Sequence, residues 1–352
     1  MVKNVQTSPF IKELKAKARK SHTPLYGTFE LTSRCNFNCK MCYVHDKAAV
    51  NAKMKELTTE QWKSIFDQAI AEGMLFALFT GGECLLREDF DELYLYLYNK
   101  GIIMSVNTNG AFIDEYRAAF FEKYQPERIQ ISLYGSSNEN YESVTERRAF
   151  EKVMKALENL EKCHLRPEIA ITASKYMTDF EQIMTFLTEK KYSYTVVTGL
   201  ISKRDGQTNT DAALSSDEIV KMKAIERRVL GLQLKEHETP APIPGCSLTT
   251  AHKGMPCNAG TIRAVITYDG KMVPCMAIPE VSIDVLENGY QKSWDYIWKK
   301  MEQVVQPPIC EACYYRKKCT FCPALRYDGL FSGKCKSEYC ELMVKEYDGG
   351  VI

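Results

Sequence analysis

The chain has 352 residues, 45% of them hydrophobic, enough for a substantial core and for one large domain with a smaller one beside it. Lys and Arg number 46 against 45 Asp and Glu, so the balanced surface gives no reason to expect nucleic acid or an anionic membrane. No apolar signal core opens the chain and no stretch of about 18 apolar residues occurs, so a cytosolic protein is expected.

Residues 1–24 read as an N-terminal extension. Its basic run, Lys12 to Lys20, has helical spacing and suits either a solvated helix face or an arm that touches substrate. A strand–helix alternation follows over residues 25–200. Tyr26 to Leu31 is a strand. Thr58 and Gln61 form a capping box, Trp62, Ile65, Phe66, Ala69 and Ile70 give a helical stripe, and Gly73 ends it. Met74 to Thr80 is a near-continuous apolar run, expected to be a strand buried on both faces. Helices are predicted over Glu88–Lys100, Asp114–Lys123, Phe150–Leu160 and Asp179–Lys190. Strands are predicted over Ile102–Val106, Ile129–Leu133, Ile169–Ala173 and Tyr194–Val197. Six βα units imply a parallel sheet with right-handed crossovers, as an open sheet or a partial barrel, with sites at the carboxyl ends of its strands. Residues 201–245 read as a linker with a helix over Ser216–Leu230 and three prolines, Pro240, Pro242 and Pro244. The remainder, 246–345, is turn-rich and cysteine-rich, with too little apolar sequence for a core unless metal holds it together.

Fourteen cysteines without an export signal point to metal ligands or catalysts rather than disulfides. Three lie at 35–42, nine lie from Cys246 to Cys340, and only Cys84 and Cys163 fall between. Cys35, Cys39 and Cys42 are separated by three residues and then two, in the loop after the first strand. Three thiolates there can wrap one edge of a four-iron cluster and leave one iron open. A zinc knuckle with a distant fourth ligand is the alternative. Gly81-Gly82-Glu83 follows the second strand: the glycines let backbone approach a ligand, and the carboxylate can hold an ammonium group. Asn107-Thr108-Asn109-Gly110 and Ser132-Leu133-Tyr134-Gly135 end the next two strands, where polar groups suit a ribose or an amino-acid carboxylate. Cys84 and Cys163 read as structural thiols. The five histidines offer no paired nucleophile or two-histidine metal site. Asp269-Gly270, preceded by the strand-like Ile266-Thr267-Tyr268, is a hairpin signal that would fold Cys257 and Cys275 together.

Cys35, Cys39 and Cys42 resemble the signature of the radical S-adenosylmethionine (SAM) enzymes, with Met41 where an aromatic residue is usual. Gly81-Gly82-Glu83 matches that family's motif for the cofactor's amine, with Cys84 in place of a common proline. The stretch from Ile131 to Ser136, with Tyr141-Glu142 and Phe150-Glu151, resembles the family's peptide-modifying branch. The C-terminal cysteines resemble the SPASM domain, a module that binds two further four-iron clusters. They depart from it at Cys319–Cys322, which have two residues between them rather than three. A zinc ribbon on Cys310, Cys313, Cys319 and Cys322 is the alternative there.

The resemblance implies a partial (β/α)6 TIM-like barrel with a small C-terminal iron–sulfur domain. It implies a SAM-binding [4Fe-4S] cluster on Cys35, Cys39 and Cys42, and cofactor contacts from Gly81, Gly82, Glu83, Asn109 and Ser132. Cys257, Cys275 and Cys322, with Cys246 as candidate fourth ligand, would hold the nearer auxiliary cluster. Cys310, Cys313, Cys319 and either Cys335 or Cys340 would hold the outer one. The implied reaction is reductive cleavage of SAM to a 5′-deoxyadenosyl radical that takes a substrate hydrogen, for oxidative modification or C–S or C–C crosslinking of a ribosomally made peptide. A small-molecule substrate is the rival, and a non-catalytic electron carrier or zinc-stapled binding module is the reading outside enzymes. The residue after Cys275 is Met276, where sulfatase-maturing members carry aspartate. A barrel starting near residue 25 leaves no room for an N-terminal peptide-recognition domain, so a separate recognition protein is expected if the substrate is a peptide. A flavodoxin or ferredoxin would supply electrons.

Overall fold

The computed structural model describes residues 8–44, 56–204, 209–237, 254–307, 313–315, 319, 322–326, 329–332, 334 and 337–352. Cys246, Cys310 and Cys335 lie outside the described residues.

Six strands run parallel in chain order: β1 (Tyr26–Glu30), β2 (Phe76–Thr80), β3 (Ile103–Thr108), β4 (Arg128–Ser132), β5 (Glu168–Thr172) and β6 (Tyr194–Val197). Around them pack α2 (Thr59–Ala71), α3 (Phe90–Tyr98), α4 (Glu115–Lys123), α6 (Phe150–Lys162) and α7 (Phe180–Glu189). The capping box at α2 is complete: Gln61 N donates to Thr58 Oγ1 at 3.2 Å, and Thr58 N donates to Gln61 Oε1 at 2.9 Å. Trp62, Ile65, Phe66 and Ala69 are fully buried, and Phe29 of β1 meets Trp62, Phe66 and Phe79 edge-on. The strand residues that face the helices, Phe79, Val106, Ile131, Ile169 and Ile171, are fully buried.

The opposite strand face departs from the expectation of an all-apolar β2. Phe76 and Leu78 are only half-buried, because the inner face lines the hollow of an unclosed barrel rather than a second packed layer. That face carries Thr28, Glu30, Ser105, Asn107, Gln130, Ser132 and Glu168, as the strand register requires.

The C-terminal part does not stand apart from this sheet. β7 (Arg263–Ile266) lies parallel to β1, with Tyr26 opposite Arg263. β8 (Lys271–Val273) and β9 (Ile283–Asp284) extend the sheet antiparallel, so the order is β6-β5-β4-β3-β2-β1-β7-β8-β9. The hairpin expected at Asp269-Gly270 is the β7–β8 turn, with Gly270 at φ 86°. α1 (Pro9–Ser21), capped by Ser8, is likewise no loose extension: His22 stacks on Trp298 of α10 (Tyr290–Glu302), and Trp294 donates to the His22 carbonyl. α8 (Ser216–Val229), in the expected linker, packs between α7 and α12 (Ser337–Asp348). Among the described residues no helix is long and apolar enough to cross a membrane.

Candidate active site at the carboxyl mouth of the barrel

The loop leaving β1 continues the sheet for a few residues beside the turn that follows β2. Leu31 N donates to Thr80 O at 2.9 Å, Gly82 N to Thr32 O at 2.7 Å, and Glu83 N to Arg34 O at 2.8 Å. This explains the two glycines. A Cβ on Gly81 would lie 2.4 Å from Thr32 O, and one on Gly82 would lie 2.2 Å from Arg34 O; Gly81 also sits at φ 140°. The close approach in this structure is therefore to the cysteine loop itself.

Glu83 is fully buried and spoken for. Its carboxylate accepts from Thr108 Oγ1 at 2.8 Å, Asn109 N at 2.7 Å and Leu85 N at 3.1 Å. Burial pushes its pKa up, against these three donors. Asn109 is engaged too: Nδ2 donates to Asn36 Oδ1 at 2.7 Å and reaches Cys35 Sγ at 3.8 Å, while Oδ1 accepts from Ala111 N at 3.0 Å. Glu83 and Asn109 thus join the ends of β2 and β3 to the cysteine loop. Cys84 is buried against the Asn107 carbonyl, as a structural thiol would be, and Cys163 caps the end of α6.

The other side of the loop is held by α5 (Asn138–Thr145), a helix not found in the sequence. Asn38 N donates to Thr145 O and Lys40 N to Val144 O, both at 3.0 Å. Phe37, Tyr134 and Tyr141 pack edge-on around one another. The Tyr134 hydroxyl hydrogen-bonds to Ser132 and to Cys39, so Ser132 is tied to the loop through that ring. Asn209, also missed, donates from Nδ2 to the carbonyls of Met41 at 3.2 Å and Ile201 at 2.7 Å.

Cys35, Cys39 and Cys42 come together at this mouth, with Cys42 bearing on both Cys35 and Cys39 and Cys35 on Cys39. Burial pushes Cys35 up to about 12 and Cys39 well above its usual value. Three soft thiols in a dry pocket become thiolates only around a cation they can share. The donor set therefore fits an iron–sulfur cluster. Beside it, on the inner face at the end of β3, Asn107 Oδ1 is buried without a hydrogen-bond partner among the described residues, an acceptor left for a polar ligand.

The sequence profile described as the Radical SAM superfamily matches residues 29–187. Residues 29–187 are a radical SAM domain. The chain is accordingly an enzyme that binds a four-iron cluster and SAM. It is similar to the AdoMet-dependent heme synthase of Methanosarcina barkeri, 24% identical over 91% of this chain and 97% of that protein. It is also similar to the antilisterial bacteriocin subtilosin biosynthesis protein AlbA of Bacillus subtilis, 26% identical over 88% of this chain and 69% of that one. In fold it resembles Streptococcus suis SuiB bound to precursor peptide SuiA, with a TM-score of 0.64 at 18% identity, over 91% of this chain and 77% of that one.

A second thiol group forms behind β7 and β8. Burial pushes the pKa of Cys257 and of Cys275 up, and the nearby Cys322 thiol adds to both. Cys322 thus lies near the two hairpin cysteines. Cys313 and Cys319 pack on Tyr315, Met343 and Tyr347, and Cys340 lies on the same helix, α12, as the last two.

Between the two groups lies a buried polar cluster that the sequence did not disclose. Glu30, the last residue of β1, is fully buried and pairs with Arg204, which also lies over the Tyr268 ring at 5.2 Å. The Tyr43 hydroxyl donates to Glu30 Oε1 at 3.3 Å and contacts Met276 Sδ at 2.6 Å. Burial raises the pKa of Glu30, opposed by Arg204 and Tyr43.

Proposed function

We propose that this enzyme oxidatively modifies a ribosomally made peptide, closing a C–S or C–C crosslink, in a reducing cytoplasm. The observation that carries the reading is the Tyr43–Met276 contact. Tyr43 follows Cys42 and Met276 follows Cys275, so side chains adjoining the two thiol groups touch each other. A substrate seated there would meet a hydrogen-abstracting centre on one side and an electron acceptor on the other, which an overall oxidation needs. Likeness to AlbA and to the SuiB–SuiA complex supports a peptide as the substrate.

In this reading Cys35, Cys39 and Cys42 hold the first cluster, which supplies one-electron cleavage of SAM. Gly81 and Gly82 keep the loop that carries them close to β2. Glu83 and Asn109 brace that loop, and Gly81, Gly82, Glu83, Asn109 and Ser132 border the space for the cofactor's methionine and ribose, with Asn107 Oδ1 as a free acceptor. Tyr134, Tyr141 and Phe37 exclude water from the thiols. Residues 246–345 form the auxiliary-cluster unit. Its nearer cluster lies on Cys257, Cys275 and Cys322 with Cys246, and its outer one on Cys310, Cys313, Cys319 and Cys335 or Cys340. Peptide recognition falls to a separate protein.

A second reading is favoured by one observation. The heme synthase of M. barkeri matches over almost its whole length, so a carboxylated tetrapyrrole is the competing substrate. The test is anaerobic reconstitution, reduction and addition of SAM, followed by peptides encoded beside this gene or by an iron porphyrin with propionate side chains. The expected results are 5′-deoxyadenosine, its loss in Cys42→Ala, and a two-hydrogen mass loss in a peptide. No deoxyadenosine, with Cys42→Ala indistinguishable from the parent, would leave only the electron-carrier or binding-module readings. Oxidation of the porphyrin alone would replace the peptide.

A further inference from the structure

The sulfurs of the cysteine loop are met by donors from the strand ends as well as by their own backbone. Phe37 N donates to Cys35 Sγ at 3.4 Å. Asn109, directly after β3, brings Nδ2 to the same sulfur at 3.8 Å. Its other bonds fix which way this amide points. Oδ1 accepts from Ala111 N at 3.0 Å, and Nδ2 also donates to Asn36 Oδ1 at 2.7 Å. A flipped amide would set donor against donor at Ala111 N. The backbone N of Asn109 donates to Glu83 Oε2 at 2.7 Å, the carboxylate whose charge bears on Cys35. Asn109 therefore stands between a buried negative charge and a thiol, with an N–H group turned to each.

Cys39 has a donor of its own. The Tyr134 hydroxyl, two residues past β4, reaches it, and the two side chains pack in one cluster with Met41 and Val144. The Tyr134 ring is held by Phe37 and Tyr141, with centroids 6.4 and 6.1 Å away. Tyr141 belongs to the same aromatic group but sends its hydroxyl to Ser132 O at 3.4 Å. An iron–sulfur cluster that takes up an electron gains negative charge, much of it on sulfur. Where water is kept out, N–H and O–H groups aimed at those sulfurs decide how costly that charge is.

We propose that Asn109 and Tyr134 set the reduction potential of the first cluster, by donating hydrogen bonds to Cys35 and Cys39 that strengthen when the cluster is reduced. This rests on the reading of Cys35, Cys39 and Cys42 as that cluster's ligands. Neither residue exchanges a bond, a proton or an electron. Both are positioning residues, acting on the reaction only through the cysteines. Loss of either donor leaves more uncompensated charge on the reduced cluster and lowers its potential.

The test is a redox titration of the full chain with reconstituted clusters, without SAM, followed by electron paramagnetic resonance. The first cluster's signal is the one that Cys42→Ala removes. Asn109→Ala and Tyr134→Phe are each expected to keep parental iron. Each should lower the ratio of reduced to oxidised first cluster at a fixed potential by about threefold to tenfold, the worth of one hydrogen bond. The two act on different sulfurs, so their effects should multiply in the double variant. Tyr141→Phe removes a neighbouring hydroxyl and should leave the ratio at its parental value. A parental ratio in either variant at full iron would overturn the proposal, and so would an equal fall in Tyr141→Phe, since packing would then be the cause. If Asn109→Ala loses iron at this site, Tyr134→Phe decides, and iron loss in both would overturn the proposal by making the two residues structural. A Cys42→Ala protein that keeps every signal and all its iron would instead refute the ligand assignment itself.

Discussion

Replacing Gly82 by alanine tests how the cysteine loop is held. The new Cβ would lie 2.2 Å from Arg34 O and 2.7 Å from Ser33 O, both backbone atoms that cannot swing aside. The turn after β2 must then separate from the loop, at the expense of the bonds from Gly82 N to Thr32 O and from Glu83 N to Arg34 O. Overpacking costs roughly 1–3 kcal/mol, and each backbone hydrogen bond about 1 kcal/mol, so the total is roughly 3–5 kcal/mol. A domain of ordinary stability, about 5–15 kcal/mol, survives that, but the damage falls on the residues directly before Cys35. Gly82→Ala is therefore expected to fold, to keep its C-terminal clusters, and to lose about four irons per chain together with deoxyadenosine formation. Iron analysis, far-UV circular dichroism and a SAM cleavage assay check this. A variant with full iron and parental cleavage would sink the account of the two glycines.

Three further predictions follow from the buried groups. Glu30→Ala or Arg204→Ala each leaves a charge without its partner, and each should cost roughly 3–5 kcal/mol in denaturant unfolding, the double variant costing clearly less than the sum; strict additivity would show that the pair is not coupled. Glu83 has its pKa raised by burial, so its contribution to stability is full at acid pH and is lost as pH climbs through the raised folded value. Glu83→Gln should flatten that decline, which sets in as pH rises above the ordinary carboxylate range, and parallel stability profiles would refute it. Asn209→Ala frees the carbonyls of Met41 and Ile201, a cost of about 1–3 kcal/mol, and should lower iron occupancy at the first site before it lowers overall helix content.

What could be read from the sequence was local. The capping box at Thr58, the buried stripe of α2 and the turn at Gly270 involve residues within a few positions of one another, and all stand where they were expected. The cysteine spacing is likewise a property of one short loop. α5 escaped because only Tyr141, Val144 and Thr145 of its residues are buried, too few to print a helical stripe on eight residues. The half-burial of Phe76 and Leu78 escaped because an apolar run looks the same whether its inner face meets a packed layer or the hollow of an open barrel.

The parts that escaped altogether are the long-range ones, and they share a place. β7 sits beside β1, Arg204 pairs with Glu30 across 174 positions, and Tyr43 meets Met276 across 233. Each of these contacts is made by β1 or by the loop that follows it. Once β1 has β2 on one side and β7 on the other, its last residue and the loop beyond it face the C-terminal hairpin. The cysteine loop is then gripped by backbone from the barrel on one flank and by the Glu30, Arg204 and Tyr43 cluster on the other. That grip gives a strand in the middle of a nine-stranded sheet a functional role. It sets the loop that carries the first thiol group against the hairpin that carries Cys275, which neither spacing pattern could have indicated by itself.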